Sequence, residues 1–184
     1  MRVVTESFHR PDVDRMKAAV TRLADHPEDA DDVTIDVRVS GGGPGQRLRF
    51  EASIPARGAA QVSHLDDLHQ VDEAFSTAVG ADELRALARN LDVDALMALP
   101  PNADERYLPD SIVGTIVVAA GSTRFTLWFP LEEEASAAGD DEMAMRIDPG
   151  NGPFVLRAAM APSSVRPLLV QVAAVVNRLA AARS

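Results

Sequence analysis

Residues 34 to 54 hold two runs in which apolar and polar side chains alternate without a break, one on each side of a glycine-rich gap. Ile35, Val37 and Val39 alternate with Thr34, Asp36, Arg38 and Ser40; Leu48, Phe50, Ala52 and Ile54 alternate with Arg47, Arg49, Glu51 and Ser53. A period of two belongs to a strand with one buried face. Gly41-Gly42-Gly43-Pro44-Gly45 between the runs reads as the turn of a β-hairpin. An oily strand face needs a second layer to cover it, so the hairpin calls for helices or another sheet elsewhere in the chain.

A second hairpin is predicted from Ser111 to Ala119 and Thr123 to Phe129, around Ala120-Gly121-Ser122. Phe125, Leu127 and Phe129 alternate with Arg124, Thr126 and Trp128, which leaves Trp128 on the nominally polar side. Helical spacing appears from Ala81 to about Leu91, where Leu84, Leu87, Ala88 and Leu91 share a face, followed by a turn at Asp92 to Leu99 and a stop at Pro100-Pro101. Another helix is expected from Ser163 to about Ala182, with Val165, Leu168, Leu169, Val172, Val176 and Leu179 as its stripe. Ser163 or Ser164 serves there as N-cap, with Pro167 in the first turn.

The start of the chain predicts an amphipathic helix opened by Pro11 and Asp12, with Val13, Met16, Val20 and Leu23 on one face. It ends near His26-Pro27, and the run Glu28, Asp29, Asp31, Asp32 reads as a solvated linker. Between 56 and 80, Gln61 to Leu65 reads as a short strand, while Leu68, Val71 and Phe75 stand at helical spacing within Asp66 to Ala78. Phe154-Val155-Leu156 reads as a further short strand. The expected fold is α+β: an antiparallel sheet from two hairpins with helices packed on one face, in the order ββαββα, plus an N-terminal helix. Residues 1–32 form a helical extension and acidic linker, and residues 33–184 form the domain.

Composition limits what such a fold does. At 184 residues the chain suits one domain, and with 4% aromatic residues its core is mainly Val, Leu, Ile and Ala. A formal net charge of −10 repels phosphate backbones and anionic lipid surfaces, so neither nucleic acid nor membrane is an expected partner. Without cysteine there is no disulfide, no thiolate nucleophile and no thiolate zinc site. No apolar run is long enough for a signal peptide or a bilayer span, and cytoplasmic residence is the expectation.

No catalytic, cofactor or metal residue stands out. His9, His26, His64 and His69 include no pair at metalloprotease spacing. His64, Asp66, Asp67, His69 and Asp72 would offer nitrogen and oxygen ligands if their segment folded back, but they read more simply as a polar helix start, where aspartates suit the macrodipole. The glycine run lacks the lysine and the following helix of a phosphate loop; it reads as a flexible turn whose backbone also suits close approach to a partner. Ser122 joins two strands rather than a strand and a helix, and the carboxylates from Glu132 to Glu142 read as an extended, mobile, solvated loop. Beyond Gly152 the chain has no acidic residue; Arg178 and Arg183 suit the negative end of a helix, with a face for an acidic partner as the other reading of Arg157, Arg166, Arg178 and Arg183.

The order of elements resembles the emfourin family, inhibitors associated with thermolysin-like metallopeptidases. The matching residues are Val37 to Gly43 opening a hairpin, Asp82 to Leu87 with Leu96 to Pro100, Pro109-Asp110-Ser111 before Gly114 to Val118, and Pro162 to Leu169 at the last helix. They span about residues 33 to 180. The N-terminal helix, the segment around His64 and an acidic insertion from Leu131 to Pro153 are additional to that compact pattern. The resemblance implies a non-enzymatic binding protein that occupies a metallopeptidase's surface, with Gly41, Gly42, Gly43, Pro44 and Gly45 as the leading contact. The other expectation is a homo-oligomeric module in which Trp128 and the apolar face of the N-terminal helix form a subunit interface.

Overall fold

Alternation in the first strand of the first hairpin is borne out residue by residue: Val33, Ile35, Val37 and Val39 are buried, and the residues between them are half-buried or exposed. The computed structural model describes residues 10–41, 48–66, 71–97, 112–133, 142–147, 154–158 and 163–182. In chain order the elements are α1 (Arg10–Asp25), β1 (Val33–Gly41), β2 (Leu48–Pro55), β3 (Ala59–Asp66), β4 (Val71–Ala78), α2 (Ala81–Arg89), α3 (Val93–Met97), β5 (Ile112–Ala120), β6 (Thr123–Glu133), β7 (Met145–Ile147), β8 (Phe154–Ala158) and α4 (Arg166–Ala181). A single turn of 3₁₀ helix, Pro27–Asp29, precedes β1.

All eight strands form one curled antiparallel sheet in the order β4-β3-β2-β1-β5-β6-β8-β7. The fold is α+β with an N-terminal helix, but the ββαββα order is not matched: four strands precede α2 and four more lie between α3 and α4. The difference begins at residues 66–78. Helical spacing of Leu68, Val71 and Phe75 fits a strand equally when a partner is at hand, and β4 pairs along its whole length with β3, from Ala59↔Ala78 to Asp66↔Val71. The turn expected at 92–99 contains the one-turn α3, where the Ala95 N–H donates to Asp92 Oδ1 at 3.0 Å as a helix cap.

One apolar cluster joins the inner sheet face to the helices. α1 belongs to it through Met16, Ala19, Val20 and Leu23, at roughly 1.5–3 kcal/mol for each large side chain removed from water. The acidic run behind α1 is pinned rather than free: Ala30 is fully buried, Arg22 pairs with Asp32 at 2.5 Å, and Arg57 pairs with Asp31 at 2.9 Å and donates to the Glu28 carbonyl. Part of the acidic insertion is also structured. Glu132 and Glu133 continue β6 against β8, and Met143, Met145 and Ile147 are buried in the core.

α4 is buried along nearly all its length, by Leu168, Leu169, Val172, Ala173, Val175, Val176 and Leu179. Its N-cap is Val165, with no side-chain cap, and Ser163 and Ser164 are exposed in the preceding turn. It meets both ends of the sheet. Asn177 receives the Arg146 N–H on Oδ1 (2.6 Å) and donates from Nδ2 to the Ala144 carbonyl (2.9 Å), so its amide serves β7 as a neighbouring strand would. Arg178 donates to the Ala78 carbonyl of β4 at 3.1 Å and pairs with Glu83, whose other oxygen accepts the Gly80 N–H at the start of α2. Arg178 thus has specific partners beyond the helix dipole.

Candidate functional site

Register places several chain breaks at one end of the sheet. Ser40 pairs with Arg49 and Val113, Arg49 with Leu65, and Leu65 with Asp72. The described strands therefore leave or enter at this end at Gly41, Asp66, Ile112 and Glu133. Loops held on a rigid sheet are where binding surfaces concentrate. Gly41 closes β1 with φ of 126°, a left-handed conformation that favours glycine. Gly42, Gly43, Pro44 and Gly45 lie outside the described residues.

Trp128 stands three register rows from Gly41, in the row that links Arg38, Thr115 and Trp128 across β1, β5 and β6. It points away from the core because Phe125, Leu127 and Phe129 occupy the inner side of β6. With 37% of its surface exposed, it is the large hydrophobic residue on the surface among the described residues. Beside it on β5, Val113, Thr115 and Val117 are buried yet face outward, since Gly114, Ile116 and Val118 take the inner side. Val113 and Val117 are buried outside the main cluster, so the centre of the outer face is itself apolar. Arg38 and Asp36, which pair with each other at 3.9 Å, flank it, with Ser53 donating to Asp36 at 2.7 Å.

The segment considered for metal ligands enters two paired strands, β3 and β4, rather than the helix start that is the simpler reading of its sequence. His64 lies on β3, 1% exposed, with its ring edge-on to Phe50 (centroids 5.2 Å apart) and stacked on Phe75 (6.1 Å). Its register partner on β4 is Glu73, whereas Asp72 stands opposite Leu65. Asp67 and His69 lie outside the described residues. His26, Glu28 and Asp29 do gather, with ligand atoms within 4.8 Å, but all three are exposed. Glu28 is held below the ordinary glutamate range, first by a backbone hydrogen bond and then by the His26 ring.

No family model, curated protein or solved structure matches the chain. Among the described residues no helix is long and apolar enough to cross a membrane. Of the features that matter here, Trp128 was visible as an aromatic out of phase with its strand. The buried outer side of β5 was not, although the unbroken run Ile116-Val117-Val118 hints at a strand covered on both faces. The apolar face of α1 is taken up by the chain's own core, which removes it from any subunit interface.

Proposed function

We propose that this chain is a non-enzymatic binding protein that receives a protein partner on the outer face of its sheet, centred on Trp128. Gly41, which closes β1 three register rows from Trp128, contributes to that surface together with the Gly42 to Gly45 sequence that follows it. The carrying observation is the exposed Trp128 indole on the outer face of a rigid antiparallel scaffold, over a β5 strand whose outward side is already buried. Tryptophan is enriched among the residues that anchor protein interfaces.

The partner proposed from the emfourin resemblance is a thermolysin-like metallopeptidase, inhibited by occlusion of its surface. The test is titration of the full chain into such a peptidase from the same source, read by residual peptide hydrolysis and by co-elution. Stoichiometric inhibition and a stable complex are expected, both weakened at least about tenfold by Trp128→Ala, a loss typical of an interface anchor. Absence of both complex and inhibition at micromolar protein rejects the reading.

A further inference from the structure

The two edges of the sheet are treated differently. At one end β7 is only three residues long, and its outward backbone groups at Ala144 and Arg146 are met by the Asn177 amide. At the other end β4 runs for eight residues, fully paired with β3 on one side, and among the described residues no strand lies beyond it. Among the described residues, its last carbonyl, at Ala78, is met by Arg178. Charged side chains, lysine above all, proline or a bulge usually blunt such an edge. β4 carries Asp72 and Glu73 in its first half, but from Ala74 to Ala78 it contains none of these, and its exposed Ala74 and Ser76 are small enough to admit a neighbouring backbone.

We infer that β4 is a homodimerisation edge, pairing antiparallel with β4 of a second copy in the register symmetric about Phe75. Two features select a second copy over a foreign strand. Phe50, His64 and Phe75 form a diagonal of ring contacts across β2, β3 and β4 that stops at the half-buried Phe75. In the symmetric register Phe75 meets its own counterpart on the core side, and the diagonal continues into the second copy. The same register sets Glu73 opposite Thr77, Asp72 opposite Ala78, and Ala74 opposite Ser76, so each charge on the strand faces an uncharged residue. This interface is separate from Trp128 and goes beyond the reading above.

Sedimentation velocity of the full chain tests it. A concentration-dependent dimer is expected, and it strengthens with added salt because each copy carries a net charge of −10. Ala74→Lys with Ser76→Lys sets lysine against lysine twice across the symmetry axis. Although this change lowers the net charge, it weakens the dimer about tenfold or more. Ala74→Glu with Ser76→Glu does the same, and an equal mixture of the two variants restores dimer as a heterodimer. Both changes are on exposed positions, and unchanged circular dichroism verifies folding. A wild-type chain that stays monomeric at all salts and concentrations overturns the inference and leaves the edge to a foreign strand. So does a dimer indifferent to the lysine pair, or one dispersed only by Trp128→Ala.

Discussion

Gly114→Ala is the change whose sign most directly tests how the core is built. Gly114 sits in β5 directly opposite Phe129 of β6, and Phe129 is fully buried. A Cβ at Gly114 would lie 2.2 Å from Phe129 Cε2, 2.3 Å from Cζ and 2.9 Å from Cδ2. The ring therefore has to withdraw by roughly 1.2 Å to reach the 3.4 Å at which ordinary contact begins. Overpacking of this kind costs about 1–3 kcal/mol. Against it, alanine restricts the unfolded chain and stabilises by about 0.4–1 kcal/mol where the backbone tolerates it. The expected net is a loss of about 1–2 kcal/mol, or about 2–8 °C in Tm for a chain of this size. Urea unfolding of four proteins closes the cycle: wild type, Gly114→Ala, Phe129→Ala and the double variant. Phe129→Ala alone should cost about 3–5 kcal/mol. In that background Gly114→Ala should become neutral or stabilising, since the ring it strikes is gone. Equal cost in both backgrounds, or a Gly114→Ala protein as stable as wild type, refutes the close approach of ring and strand.

Three further outcomes are expected. Asn177→Leu keeps the volume of the side chain but strips β7 of its cap; about 1–3 kcal/mol should be lost, and hydrogen exchange at the Arg146 amide should accelerate more than at β1 amides. Glu83→Gln weakens both the Arg178 ion pair and the N-terminal cap of α2, costing about 1–2 kcal/mol in thermal unfolding; little should change when Arg178→Gln is already present, apart from the cap. Glu28 should titrate, by carboxyl chemical shift, below the ordinary glutamate range, and His26→Ala should return it only part of the way because the backbone hydrogen bond is the larger cause. Since its folded value is depressed, this contact favours the folded state above the unfolded pKa and is lost as pH falls through the folded one; a midpoint at or above the ordinary value contradicts it.

Trp128 and Gly41 illustrate how far a candidate site can be read from residues. An aromatic on the polar phase of a strand is a local fact, and so is a glycine run between two alternating segments. The placement of Gly41 within three register rows of Trp128 is not local, because it depends on β1 pairing with β5 across more than seventy intervening residues. The burial of Val113, Thr115 and Val117 on the outer side has the same origin, since central position in the sheet decides it.

By itself the sequence determined the hairpins β1–β2 and β5–β6, the strand at Phe154 and the helices α2 and α4, because each carries its own period of apolar residues and its own breakers. It left β4 ambiguous, since Val71 and Phe75 satisfy a helical spacing and a strand spacing alike until β3 supplies backbone partners. Charge told only part of the story at two places: the acidic residues before β1, and Glu132 and Glu133, are exposed as their charge suggests, yet Arg22, Arg57 and β8 hold the adjoining backbone in place. Tertiary structure alone decided that α1 closes the core, that Asn177 finishes one sheet edge, and that β4 is left as the other. Each of these rests on contacts between residues far apart in the chain, and no local pattern records such contacts.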